Sequence, residues 1–156
     1  MSNKDKIAVF PGSFDPLTKG HESVVKRALP LFDKIYVAVG KNITKAPYFT
    51  LEERVKHIEQ TFKSEKKIEA IAFEGLTVDF CKKVKANFIL RGVRNTTDFE
   101  YEKNIAQMNK VLYPKVETVF ILTDAEFAAI NSTIVREILR NGVDVSAFIP
   151  SKVKLR

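Results

Sequence analysis

The feature that most constrains this chain is an alternation. Five short apolar runs, 7–10 (IAVF), 34–40 (KIYVAVG), 68–73 (IEAIAF), 88–90 (FIL) and 116–122 (VETVFIL), read as strands. Between them lie segments whose apolar residues repeat with helical spacing. Val24, Val25, Ala28, Leu29 and Phe32 share one face, with Pro30 marking a kink or an early end. Thr50-Leu51-Glu52-Glu53 reads as a capping box, followed by a stripe of Leu51, Val55, Ile58 and Phe62. Thr77 is expected to cap a helix through Val84, and Asp98 a longer one with Tyr101, Ile105, Met108 and Leu112 on one side. Asn131 or Ser132 opens a last helix, and Asn141-Gly142 stops it.

Strictly alternating strands and helices predict an α/β fold: a doubly wound, five-stranded parallel sheet with helices on both faces. The strands are too short and too uniformly apolar to face water on one side. With 156 residues, the expectation is a single domain spanning 1–156. In such sheets ligands bind beyond the carboxyl ends of the strands, where the strand order reverses. The residues at those ends therefore matter most.

Charge narrows the partners. The chain carries 26 Lys and Arg against 19 Asp and Glu, a formal net charge of +7. That balance favours anionic partners, including phosphorylated metabolites. Its lysines are dispersed in pairs such as Lys66-Lys67, without the basic and aromatic stripe of a nucleic-acid surface, so no nucleic acid is expected. The polar start MSNKDK shows no signal-peptide pattern, and no run reaches the roughly 18 apolar residues of a membrane span. The lone Cys81 allows no internal disulfide. The expectation is a cytoplasmic protein with no membrane contact.

Four strand ends carry suggestive chemistry. After strand one comes PGSFDPLTKGH (11–21). It is neither a dinucleotide fingerprint nor a Walker loop. Yet Gly12 lets the backbone approach a ligand, Ser13 offers a hydroxyl, and His21 sits in a first helical turn that favours anions. An ordinary Gly/Pro turn explains the run equally well. Lys41 and Lys45 follow strand two and could reach a phosphate or simply meet solvent. After strand four, Arg91 and Arg94 flank Gly92, with Asp98, Glu100 and Glu102 as alternative ion-pair partners. After strand five, Ser132 and Thr133 open a helix, with Arg136 one turn on. All four fall on one edge of the sheet, and no nucleophilic triad or metal-ligand cluster competes with them. A phosphoryl- or nucleotidyl-transfer site explains the set best, because that chemistry needs positioning and charge stabilisation more than a covalent nucleophile.

The motifs also carry a resemblance. PGSFDPLTKGH resembles the T/H-x-G-H motif of the nucleotidyltransferase superfamily, and INSTIVR (130–136) its second motif, I-S-S-T-x-x-R. With FTLEERV (49–55) and LRGVRNTTDFEYE (90–102), nearly the whole chain is similar to the bacterial phosphopantetheine adenylyltransferases. The resemblance implies transfer of the adenylyl group of ATP to 4′-phosphopantetheine, giving dephospho-coenzyme A and pyrophosphate. It implies Mg²⁺ and a homohexamer. No acidic cluster in the sequence marks protein ligands for the ion, so the expectation is Mg²⁺ carried by the ATP phosphates, with no metal-ligating residues of the protein. Ser13, His21, Lys45 and Arg91 would then be catalytic. ATP would meet Ser13, Phe14, His21, Gly92, Val93, Arg94 and Glu102, together with Phe127, Ala128, Ala129, Ile130, Asn131, Ser132 and Thr133. Ser13, Lys45, Thr77 and Arg91 would hold the acceptor. Two departures stand out: Thr18 occupies the first histidine position of the H-x-G-H form, and Asn131 replaces a common serine. Relatives using CTP or nicotinamide mononucleotide, and a catalytically silent coenzyme A binder, are the competing readings.

Overall fold

The computed structural model describes residues 4–42 and 46–155. Its elements alternate as expected: β1 (Ile7–Gly12), α1 (Lys19–Ala28), β2 (Lys34–Gly40), α2 (Leu51–Thr61), β3 (Ile68–Phe73), α3 (Thr77–Val84), β4 (Phe88–Val93), α4 (Thr96–Leu112), β5 (Glu117–Leu122) and α5 (Ser132–Arg140). The strands form one parallel sheet in the order β3-β2-β1-β4-β5.

Successive strand residues point to opposite faces, and both faces are covered. Ala8, Phe10, Val37 and Leu90 pack with Val24, Val25 and Ile58 of α1 and α2. Val9, Ala38 and Ile89 pack on the other side with Val78 and Phe80 of α3. A third cluster joins Val135 of α5 to Val145, Ile149 and Val153. The double burial explains why the strands read as apolar runs instead of alternating patterns.

Strand order reverses between β1 and β4, and there the sheet splits. β1 stays paired with β2 through Gly12↔Val39, and β4 with β5 through Val93↔Leu122. β1 and β4 pair only at Ala8↔Phe88 and Val9↔Ile89. Beyond that point the two strands diverge, and their carboxyl ends bound a crevice. The split also accounts for two strands longer than expected. Pro11-Gly12 and Arg91-Gly92-Val93 are strand residues, held by their outer neighbours alone.

Helix starts bring further corrections. Thr50 and Glu53 form the expected capping box. Thr77, however, is the first residue of α3, preceded by Leu76, which offers no side-chain cap. Asn95, not Asp98, caps α4 by accepting from the Asp98 N–H at 2.8 Å, which frees the Asp98 carboxylate for Arg94. Asn131 caps α5 through the Ile134 N–H. α1 stops at Ala28 and passes into a 3₁₀ turn around Pro30. The stripe on α4 does not face this chain's core: Tyr101 is 69% exposed and Met108 63%, whereas Glu102 is buried.

Candidate active site

A cavity of about 270 Å³ occupies the β1–β4 crevice. Its walls come from β1 and the following turn, the start of α1, the end of β4, the first half of α4, and the start of α5. Of the residues expected at the site, Ser13, Phe14, His21, Arg91, Gly92, Arg94, Glu102, Ile130, Asn131 and Ser132 line it. Val93 lies buried at the end of β4, and Phe127, Ala128 and Ala129 fall outside the lining. A larger hollow of about 730 Å³ adjoins the cavity, shares Ser13, Arg91 and Glu102 with it, and reaches Thr77. Thr133 lines a third, outer hollow beside Arg136. Lys45 lies outside the described residues.

The β1–α1 turn is shaped by contact. Phe14 is buried and adopts φ of +46°, left-handed backbone that costs a non-glycine residue about 1–2 kcal/mol. Its ring stands edge-on to Phe10 (5.3 Å) and to His21 (5.1 Å). Glycine at position 12 makes room for the Phe14 ring, which a Cβ there would approach to 2.9 Å and push aside. The hydroxyl of Ser13 and the N–H of Phe14 have no hydrogen-bond partner among the described residues.

His21 is locked in orientation and tautomer. Thr18 caps α1, and His21 completes a reciprocal capping box with it. The Thr18 N–H donates to His21 Nδ1 at 3.0 Å. A backbone N–H can only donate, so Nδ1 is the unprotonated nitrogen and Nε2 carries the proton. Burial, reinforced by the charges of Arg91 and Arg94, lowers the imidazole pKa to about 4. At neutral pH His21 is therefore a hydrogen-bond donor without charge. The backbone N–H at position 18 thus sets the tautomer of the last-position histidine, while the threonine side chain caps the helix that carries it.

Arg91 is braced for anion binding. Its Nε and Nη2 grip both oxygens of Glu102 at 2.9 and 2.6 Å, and Nη1 donates to the Pro11 carbonyl at 2.5 Å. These contacts use three of the five guanidinium N–H groups, leaving two for a ligand. Arg94 pairs with Asp98 at 3.1 Å. Gly92 gives the cavity its depth, since a Cβ there would stand 3.0 Å from Val24. The Ser132 hydroxyl is spent on the Pro16 carbonyl at 2.8 Å, so what α5 can offer an anion is the backbone N–H groups at its start.

The donor set does not fit a protein-held metal. Among the described residues no three His, Cys, Asp or Glu side chains gather into a metal site. The two carboxylates lining the cavity, Asp98 and Glu102, are each held by an arginine.

Sequence reasoning missed Asp98 as a site residue, and it missed Arg54. The sequence offers Asp98 as a helix cap or an ion-pair partner of the arginines; it is the partner of Arg94, and only the α4 geometry shows it on the cavity wall. Arg54 carried a legible signal. It sits among Leu51, Val55 and Ile58, so it shares the buried face of α2, where an unpaired charge would be costly. It is 5% exposed.

Comparison with known proteins places this arrangement. Residues 9–138 match the family described as Cytidylyltransferase-like. The phosphopantetheine adenylyltransferase of Flavobacterium psychrophilum is 52% identical over 96% of this chain and 98% of its own length. Those of Flavobacterium johnsoniae and Cytophaga hutchinsonii are 53% and 49% identical, with 97% and 99% of their own lengths covered. The chain belongs to the phosphopantetheine adenylyltransferase family. A bifunctional NMN adenylyltransferase/ADP ribose pyrophosphatase from Francisella tularensis shares the fold, with a TM-score of 0.73 at 17% identity over 95% of this chain and 46% of that one. In this adenylyltransferase-family chain PGSFDPLTKGH and INSTIVR thus line one cavity and touch each other, through Ser132 on the Pro16 carbonyl and Arg136 on the Asp15 carbonyl.

Proposed function

We propose that this chain transfers the adenylyl group of ATP to 4′-phosphopantetheine, giving dephospho-coenzyme A and pyrophosphate. One observation carries the reading. A crevice lined by Arg91, Arg94 and a neutral, proton-donating His21 lies at the switch point of a chain that is family-like over nearly its whole length.

In this reading ATP occupies the smaller cavity and the acceptor the adjoining hollow, with Ser13 and Arg91 common to both. An oxygen of the acceptor phosphate attacks the α-phosphorus in line. The bond to the α–β bridging oxygen breaks, and pyrophosphate leaves. The attacking oxygen is already ionised near neutral pH, so no general base is needed. His21 could not act as one: Nδ1 is occupied and Nε2 is protonated. The protein must bring two anions together. The two spare N–H groups of Arg91, the Nε2–H of His21, the Ser13 hydroxyl and the Phe14 N–H supply that stabilisation. Lys45 adds to it from the segment after β2. The helix start at Ser132 and Thr133 receives the distal phosphates, and Thr77 borders the pantetheine arm. Family membership implies dependence on Mg²⁺, and the ion enters on the triphosphate, not on protein ligands.

The exposed apolar side chains of α4 (Tyr101, Met108, Val111 and Leu112) support assembly of several copies, as a homohexamer. None of the described helices is long and apolar enough to cross a membrane. A cytoplasmic location completes the proposal.

The test is the product. Incubation with 4′-phosphopantetheine and ATP should yield a species of dephospho-coenzyme A mass. CTP should give at most a trace of its cytidylyl counterpart. Efficient use of CTP, or an adenylylated product without the acceptor, would refute the assignment.

A further inference from the structure

Four carbonyl oxygens at the end of β1 and in the β1–α1 turn are held by side chains from other elements. Pro11 O accepts from Arg91, Ser13 O from Arg54 at 2.8 Å, Asp15 O from Arg136 at 2.7 Å, and Pro16 O from Ser132. Arg91 and Ser132 line the crevice cavity themselves. Arg136 and Arg54 do not, and both border the outer hollow. Arg54 rises from the second turn of α2 and is buried, with its Nε and Nη1 committed to backbone carbonyls.

Arg54 belongs to a two-way clip. Its Nε donates to Phe49 O at 3.1 Å while Nη1 holds Ser13 O. In the opposite direction, both carboxylate oxygens of Asp15 accept from the chain before α2, from the N–H groups of Tyr48 and Phe49 at 2.8 and 2.9 Å. The turn after β1 and the segment entering α2 are thereby fixed to each other.

The peptide that Arg54 holds is the one most prone to rotate. A peptide joins Ser13 ψ to Phe14 φ, and a half-turn of its plane would move Phe14 from φ of +46° into the ordinary negative range. The peptide is planar and trans, so its N–H points opposite to its C=O. With the carbonyl on Arg54, the Phe14 N–H faces away from α2, without an acceptor among the described residues. After a half-turn, a carbonyl oxygen would occupy that direction and repel a phosphate.

We propose that Arg54 is a positioning residue for adenylyl transfer: from behind the cavity it fixes the Ser13–Phe14 peptide so that an N–H, and not a carbonyl, meets the reacting phosphate. The proposal rests on the adenylyl-transfer reading above. Asp15 is its partner in the clip.

The experiment compares wild type with Arg54→Met, Arg54→Lys and Asp15→Asn by steady-state kinetics, thermal unfolding and amide NMR. Removing one preorganised donor of this kind costs about 100-fold in kcat. Arg54→Met should show that loss when assayed well below its unfolding midpoint, with KM for ATP changed less than about fivefold. Arg54→Lys has one head for two carbonyls and should stay at least tenfold down. Asp15→Asn nearly preserves size, guards against a folding failure of the first variant, and should lose about tenfold. Folded variants with kcat within threefold of wild type would overturn the proposal. A second readout needs no turnover. Addition of α,β-methylene-ATP should shift the Phe14 amide resonance of wild type and leave it nearly unmoved in Arg54→Met. A wild-type Phe14 amide that ignores the nucleotide would overturn the proposal as well. Wild type that binds this nucleotide through Phe14 yet fails to transfer AMP would instead refute the functional reading.

Discussion

His21→Gln tests the electrostatic account of the site without reference to turnover. In the native state the imidazole pKa is lowered to about 4, by burial first and by Arg91 and Arg94 next, whereas an unfolded histidine titrates near 6.5. Between those values the unfolded chain binds more protons, so acid favours unfolding. The contribution is negligible above the unfolded pKa and grows as pH falls from about 6.5 toward 4. At pH 5 a full shift of this size amounts to about 2 kcal/mol. The ring edge opens on the cavity, and solvent there reduces the effect to about 1–2 kcal/mol. Glutamine has no such titration. Urea unfolding at pH 8 and pH 5 should therefore show a smaller acid loss for His21→Gln than for wild type, by about that amount. The absolute stability at pH 8 is expected to change too, because the capping box is broken, but only the pH difference is diagnostic. His57, whose pKa is also lowered by burial, is common to both proteins and cancels. Equal acid losses would refute the neutral-histidine assignment. So would imidazole nitrogen shifts placing the His21 proton on Nδ1.

Two further substitutions separate architecture from chemistry. Gly12→Ala should destabilise by about 1–3 kcal/mol in urea and weaken ATP binding, because the new methyl drives the buried Phe14 ring away; an unchanged midpoint would contradict the close-approach argument. Ser13→Ala should leave stability within about 0.5 kcal/mol, since its hydroxyl has no partner among the described residues, while kcat falls about tenfold or more. Loss of stability with kcat intact would reverse the assignment.

Much of this site was legible in the sequence because its parts lie at strand ends, and strand ends are easy to find in a doubly wound sheet. Ser13, His21, Arg91 and Ser132 could be placed on one edge from the alternation alone. What could not be read was pairing across that edge. Only the sheet shows that β1 and β4 part after Val9 and Ile89, turning expected loop residues such as Arg91 into strand residues beside a crevice. The tautomer of His21 depends on a single backbone N–H, which leaves no trace in composition. The stripe on α4 misled, since helical spacing reports an apolar face but not whether the same chain covers it. Arg54 was overlooked although a lone charge on an apolar helix face is a signal in itself. Its partners, the carbonyls of Ser13 and Phe49, come from segments that only the fold brings together.

Acceptor-dependent pyrophosphate release from ATP addresses the central claim most directly. The account predicts release with 4′-phosphopantetheine, one pyrophosphate for each dephospho-coenzyme A formed, and background alone without it. Release that ignores the acceptor, or no release with both substrates present, would contradict it.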